Sequence, residues 1–335
     1  MNPAADGDHD IVLDVRDLRT RFGPARGGVV AADGVDVVLR RGRTTALVGE
    51  SGSGKSVTAL SIMRLIEPPG RIVGGKILLA GRDLMLADER AMERIRGARI
   101  SMVFQDPLTS LNPALTIGSQ IAETILAHED VSDAEAHRRA VRLLEHVGVA
   151  EAAQRARDYP HHFSGGMRQR VLIAAAIACR PDIIIADEPT TALDVTVQAK
   201  ILRLLHDLQQ EMHASLLLIT HDLGVVAAMA DDVLVMYAGR VVERADVDTL
   251  FHAPKHPYTQ ALLACIAGVE ADRRAPLEPI AGAPPDLRDP PAGCRFAPRC
   301  PRAVAPCSTT DPRLHRVGAG HDVACIRVAE AMADA

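Results

Sequence analysis

Tryptophan is absent, and only three tyrosines and five phenylalanines occur among 335 residues. So small a supply of flat side chains leaves few platforms on which unpaired bases could stack. Ala, Val, Leu and Ile must fill the interior instead. Nor is there an excess of positive charge: 38 Lys and Arg stand against 43 Asp and Glu, a formal net charge of −5. No overall field draws the chain to a phosphate backbone, which argues against nucleic acid as a partner. Long apolar runs are missing too. Stretches such as Val171 to Cys179 and Ala261 to Val269 reach about half of the roughly 18 residues that a membrane span needs. Any membrane role therefore calls for a partner that does the spanning. Residues 1–10, MNPAADGDHD, carry neither a basic n-region nor an apolar h-region. They are not a secretory signal, residues 1–9 are expected to be disordered, and the chain is expected to stay in the cytosol.

What is present is ordinary for a folded protein: 47% hydrophobic and 24% charged residues exclude a disordered chain. The length predicts two compact units. Residues 11–48 hold β-rich runs (IVLDV, VVAADGVDVVL, TTALV) separated by Gly and Arg-Gly turns. Thr44 to Val48 leads into the Gly/Ser-rich stretch Gly49 to Gly54, and Lys55 to Ile66 carries apolar residues at helical spacing. Ile100 to Phe104 reads as a strand and Asp106 to Pro113 as a loop held by two prolines. Ile117 to about Arg157 reads as a helical insertion. Ser164 to Cys179 reads as a helix, ended by Pro181. Asp182 to Ala186 and Ser215 to Thr220 are continuous apolar runs, as in a parallel sheet covered on both faces, with helical Val195 to Gln210 between them. Residues 245–266 suggest a short helical extension. Residues 272–320, rich in proline and cysteine, suggest a second, loop-rich unit, and no internal repeat is visible.

Gly49-Glu50-Ser51-Gly52-Ser53-Gly54-Lys55-Ser56 satisfies G-x-x-x-x-G-K-[ST] at every fixed position, between the strand and helix that the motif requires. Its glycines let backbone N–H groups wrap phosphates, and the helix N-terminus adds partial positive charge. Lys55 suits the β- and γ-phosphates, and the Ser56 hydroxyl suits Mg²⁺. A second motif, Ile183-Ile-Ile-Ala-Asp187-Glu188, is a buried strand ending in two carboxylates. Asp187 suits Mg²⁺ held through water, and Glu188 suits the attacking water beside the γ-phosphate. His221, directly after an apolar strand, can donate to phosphate or to that water.

These residues, together with Phe163-Ser164-Gly165-Gly166-Met167, resemble the ATP-binding cassette (ABC) ATPases, whose signature that last segment matches. Gln105 resembles the family's Q-loop, also a Mg²⁺ ligand; Thr191-Ala-Leu-Asp194 resembles the D-loop, His221 the switch histidine, and Phe22 the aromatic that stacks on adenine. Order and spacing agree over about residues 10–245. Met167 and Phe163 stand where the commonest signature has Gln and Leu, but Ser164, Gly165 and Gly166 remain, so activity is expected to survive. The resemblance implies a P-loop NTPase (RecA-like) α/β core with an N-terminal antiparallel β-subdomain and an inserted helical subdomain at about 107–180. It also implies a head-to-tail dimer in which ATP lies between the P-loop of one subunit and the signature of the other.

A narrower resemblance, to the oligopeptide/dipeptide import ATPases, rests on the segments 104–113, 159–170, 236–243 and 256–263 and on the cysteine tail that follows. It is closest to the dipeptide importer subunits, and nickel importers are near relatives. It implies a small loop-rich extension over 246–335, two membrane permeases as partners, and an extracytoplasmic solute-binding protein that acts indirectly. The second ATPase subunit would be a paralogue or a second copy, and the complex would sit at the cytoplasmic face of the plasma membrane. Non-transport ABC ATPases of ribosomes or DNA are disfavoured by the charge, by the single cassette and by the lack of coiled-coil heptads. A degenerate regulator without turnover is disfavoured by Glu188 and His221. Cys294, Cys300, Cys307 and Cys325 lack the paired C-x₂-C knuckles of a zinc ribbon. The resemblance points to a [4Fe–4S] cluster, with Zn²⁺ as the alternative and free thiols as the plain reading. Cys179 and Cys265 read as small core residues. His161, His162, His252 and His256 show no ligand spacing.

Overall fold

The structure is a computed structural model that describes residues 10–25, 27–191, 193–271 and 280–333, so the N-terminal residues 1–9 lie outside it. In chain order, three strands open the fold: β1 (Ile11–Phe22), β2 (Val29–Arg40) and β3 (Thr44–Val48). Then come α1 (Lys55–Ile62), β4 (Gly70–Leu79), β5 (Arg82–Asp83), α2 (Glu89–Ile95), β6 (Ile100–Val103) and α3 (Pro107–Ser110). The helical run is α4 (Ile117–Leu126), α5 (Asp133–His146), α6 (Ala152–Arg155) and α7 (Gly165–Ala176). It is followed by β7 (Ile183–Asp187), α8 (Val195–Met212), β8 (Ser215–Thr220), α9 (Leu223–Met229), β9 (Asp232–Tyr237) and β10 (Arg240–Asp246). The tail holds α10 (Val247–His252), α11 (Pro257–Ala271), β11 (His315–Gly318), β12 (His321–Val323) and α12 (Ile326–Ala333).

The described residues form two compact units, one of those within 10–12, 39–44 and 83–219, the other of those within 13–38, 45–82, 220–271 and 280–333. In the first, β6, β7 and β8 run parallel, with Val103 opposite Ala186 and Asp187 opposite Ile219. Every residue of β7 and β8 is buried, as expected of strands covered on both faces. The expected strand–helix–strand crossover is β7–α8–β8. Beside these strands the insertion forms α4, α5 and α7, which pack against one another with Ile121, Ile125, Ala140, Leu144 and Val171 buried. Ser132 caps α5 by accepting from the Glu135 N–H, the start of an S-x-x-E box. The segment 106–113, expected as a loop, contains the helical turn α3. Asp106 caps it and Pro107 occupies the first turn, where a missing N–H costs nothing.

In the second unit, β1 pairs antiparallel with β4, Phe22 opposite Gly70. A separate ladder has β3 parallel to β9, β9 antiparallel to β10, β10 antiparallel to β12, and β12 antiparallel to β11. The C-terminal tail thus contributes strands to the ladder that carries β3. Behind β3 and β9 lies a core of Val48, Val226, Val235, Leu250 and an aromatic trio, Tyr237, Tyr258 and Phe296. Their ring centroids are 4.6 to 5.4 Å apart, and all three are buried. A chain so poor in aromatics places three of its eight in this one cluster. Tilted and edge-on rings at such spacing add attraction beyond area burial.

Candidate nucleotide site

The loop 49–56 joins the end of β3 to the first turn of α1. A Cβ on Gly49 would lie 2.1 Å from the Met236 carbonyl oxygen, so bare backbone packs against β9 there. Gly54 caps α1 in the left-handed region, at φ 104. Gly239 N–H donates to the Ser53 carbonyl at 2.8 Å, which ties the loop to the β9–β10 turn. Lys55 is 5% exposed, and its Nζ donates to the carbonyls of Gly49 (2.8 Å) and Glu50 (3.0 Å). The ammonium is thereby held within the curve of the loop, where a phosphate's charge would be met. Ser56 follows in the first turn of α1, half-buried, while Ser51 and Gly52 are exposed.

Phe22 ends β1, half-exposed, and its ring covers Gly70, where a Cβ would come within 2.6 Å of Phe22 Cε1. His221 is exposed directly after Thr220, and Asp222 beside it caps α9 by accepting from the Gly224 and Val225 N–H groups. These residues, like the loop, belong to the second unit.

The first unit gathers the carboxylates. Asp187, 4% exposed, is the last residue of β7. Glu188 follows in a left-handed conformation, φ 45, with its N–H donated to the Ile219 carbonyl at 2.9 Å. A non-glycine residue held at positive φ is strain of the kind that gathers at functional sites. Glu188 Oε2 accepts from Gln105 Nε2 at 2.9 Å and from Thr191 Oγ1 at 3.0 Å. Gln105 lies 83 residues away in sequence, and the parallel pairing of β6 with β7 brings it there. The Glu188 carboxylate is therefore aimed by two donors from two different loops.

Ser164 caps α7, its hydroxyl accepting from the Met167 N–H at 3.4 Å, and Ser164 and Gly165 are exposed. Asp194 caps α8, accepting from the Val197 N–H at 3.0 Å. The two helix starts lie side by side: a Cβ on Gly166 would come within 2.6 Å of Val197, and one on Gly165 within 3.3 Å of Leu193. A twelve-residue helix that opens on two exposed small residues presents its N–H groups to an anion.

Cys294, Cys300, Cys307 and Cys325 line one cavity of about 20 Å³, together with Phe296 and Pro257. Room for about one water remains there. Burial pushes the Cys294 and Cys300 thiols up, toward the neutral form. The four cysteines of the expected cluster thus line one space, but among the described residues no group of three or more His, Cys, Asp or Glu is arranged to hold a metal ion. Thiols held neutral by burial, as at Cys294 and Cys300, pack as small apolar groups. Cys179 and Cys265, expected as small core residues, are only half-buried.

Motif reading missed two residues. Tyr258 Oη accepts the Glu50 N–H at 2.9 Å, and Arg299 grips the Glu50 carboxylate with both Nη atoms, at 2.7 and 3.1 Å. The hydrogen bond to Glu50 holds the Arg299 guanidinium above its ordinary range, and burial pushes the Tyr258 hydroxyl up. Tyr258 lies within the segment 256–263 and Arg299 within the cysteine tail, between Cys294 and Cys300, so neither belongs to a nucleotide motif.

A family model described as ABC transporter matches residues 32–191, and one described as the oligopeptide/dipeptide transporter C-terminal region matches 242–307. The oligopeptide transport ATP-binding protein AppD of Bacillus subtilis (strain 168) is 51% identical over 315 residues, covering 94% of this chain and 96% of its own. The dipeptide transport ATP-binding protein DppD of the same strain is 48% identical, covering 94% of each chain. Among solved structures, an ATP-binding cassette dimer in a post-hydrolysis state with ADP and Pi superposes with a TM-score of 0.63 at 27% identity. That match covers 70% of this chain and 98% of the other. CbiO1 of Clostridium perfringens, part of the ABC transporter complex cbiONQ, gives 0.62 at 26% identity, covering 73% and 92%. The expected P-loop NTPase fold is borne out, and ATP hydrolysis with Mg²⁺ is the chemistry of the family. No helix among the described residues is long and apolar enough to cross a membrane. The chain belongs to the ABC transporter family, among the ATP-binding proteins that carry the oligopeptide/dipeptide transporter C-terminal region.

Proposed function

We propose that this chain hydrolyses ATP to power the import of di- or oligopeptides through a membrane ABC transporter, docked at the cytoplasmic face of two permease subunits and fed by a solute-binding protein. The observation that carries this reading is the likeness to peptide-transport ATP-binding proteins, which runs through the nucleotide motifs and the C-terminal region alike. Residues 10–245 form the nucleotide-binding domain, with its helical subdomain at about 107–180, and residues 246–335 form the extension.

The loop amides of residues 49–54 and Lys55 hold the β- and γ-phosphates, and Phe22 stacks on the adenine. Ser56, Gln105 and Asp187 would hold Mg²⁺, which would supply charge neutralisation on the phosphate oxygens. Glu188, aimed by Gln105 and Thr191, takes a proton from the water whose oxygen attacks the γ-phosphorus. The bond to the β-phosphate oxygen breaks, leaving ADP and phosphate, while His221 donates to the γ-phosphate. Ser164, Gly165 and Gly166 present a helix start to the γ-phosphate held by a second ATPase subunit, identical or paralogous, with Asp194 at that seam. In vesicles reconstituted with the permeases and binding protein, added peptide should raise ATP hydrolysis. Stimulation by nickel and not by peptide would move the assignment to metal import, and stimulation by neither would contradict a transport role.

We further propose that the four tail cysteines hold a [4Fe–4S] cluster, supported by their meeting at one cavity and by a donor set suited to iron. Anaerobically purified protein should carry iron and visible colour, both lost in Cys300→Ser. Stoichiometric zinc without iron would favour the alternative, and protein free of both metals would contradict either centre.

A further inference from the structure

Glu50, second residue of the phosphate loop, is gripped at three points. Its N–H donates to Tyr258 Oη at 2.9 Å, its carbonyl accepts from Lys55 Nζ at 3.0 Å, and its carboxylate takes both Nη atoms of Arg299. The Arg299 side chain is only 5% exposed, and each of its three nitrogens is engaged. Nε donates to the Ala281 carbonyl (3.0 Å), Nη2 also to the Ile280 carbonyl (3.2 Å), and Nη1 also to Tyr237 Oη (3.3 Å). The guanidinium lies 5.8 Å from the Tyr237 ring centroid, a further restraint on its plane. A fork fixed in this way sets a carboxylate in direction as well as distance. Arg299, Glu50 and Lys55 therefore form a continuous chain of contacts from the cysteine tail to the ammonium that meets phosphate.

We propose that Arg299 is a positioning residue of the nucleotide site, acting through Glu50 to hold the phosphate loop in its ATP-binding shape. The segment from Cys294 to Cys300 is then a working part of that site, and loosening it lowers ATP affinity without touching the chemistry at Glu188. The inference rests on the assignment of residues 49–56 to the phosphates.

The test uses the full-length chain, with Mg-ATP affinity, KM and kcat measured for five variants. Arg299→Ala should weaken ATP binding and raise KM roughly tenfold, the scale of one lost charge-assisted pair, while kcat at saturating ATP stays near the parent's. Arg299→Lys, which keeps one arm, should fall between the two. Glu50→Gln should match Arg299→Ala, and the double variant should be no weaker than either alone, because both remove one contact. Lys55→Ala, with ATP binding abolished, is the control on the loop itself. Should Arg299→Ala fail to fold, Glu50→Gln carries the same readout, since it keeps the volume and the backbone contacts. Parent affinity in Arg299→Ala and Glu50→Gln, with Lys55→Ala inactive, would overturn the positioning role alone. Parent affinity in all three would overturn the loop assignment as well.

Discussion

Gly49→Ala is the sharpest single perturbation of the phosphate loop. The new methyl would sit 2.1 Å from the Met236 carbonyl oxygen and must open that gap beyond 3.0 Å, so loop and strand have to part by about an ångström. Neither side yields easily. Met236 lies in β9, whose Val235 pairs with Val48 at the end of β3, immediately before the glycine. The φ of 154° adds backbone strain of about 1–3 kcal/mol in a residue with a Cβ. A displacement of about 1 Å in groups that hold the reacting phosphate lowers turnover by about a hundredfold. Phosphate release at saturating Mg-ATP reads the effect, with urea denaturation run alongside. Gly42→Ala is the matched control: φ is 66°, nothing lies within 4 Å of its Cβ, and it sits in the β2–β3 turn. That variant should lose stability but keep turnover. Gly49→Ala hydrolysing ATP at the parent rate would refute the close-packed loop.

Two further outcomes follow from single side chains. His256 is buried and accepts the Tyr258 N–H on Nδ1, and burial pushes its pKa down to about 3. The unfolded chain binds this proton below about pH 6.5 and the folded chain does not. Stability therefore falls as pH drops from 6.5 towards 3, by at most about 1.4 kcal/mol per unit. His256→Asn keeps an acceptor for that N–H and should flatten the slope in denaturant titrations across this window; an unchanged slope would exonerate His256. Gln105→Ala removes a donor to Glu188 at 2.9 Å and should slow hydrolysis at least about tenfold. Unchanged turnover would remove Gln105 from the aiming of that carboxylate.

The nucleotide motifs were legible because each is local and bounded by strong periodicity: five buried residues, a glycine turn, then a helix around Lys55. The β7–α8–β8 crossover was legible for the same reason, in two wholly apolar runs. Asp106 to Pro113 was misread because proline punctuates loops and also opens helices; only the Asp106 cap, accepting from the Leu108 N–H, decides between them. The strand β12 is three residues long, too short to show a period, and its place beside β10 is fixed by long-range pairing. The grip of Arg299 on Glu50 spans 249 residues of sequence, and no local pattern encodes such a contact. The cysteines announced their company but not their spacing in space, since burial and backbone packing, with Cys294 N–H on the Cys307 carbonyl, set how closely the sulfurs gather.

Single-turnover phosphate release from bound Mg-ATP, compared among the parent, Lys55→Ala and Glu188→Gln, bears most directly on whether this chain spends ATP through these residues. Lys55→Ala should fail to retain nucleotide, whereas Glu188→Gln should retain it and release phosphate at least about a hundredfold more slowly. Glu188→Gln releasing phosphate at the parent rate would contradict the assignment.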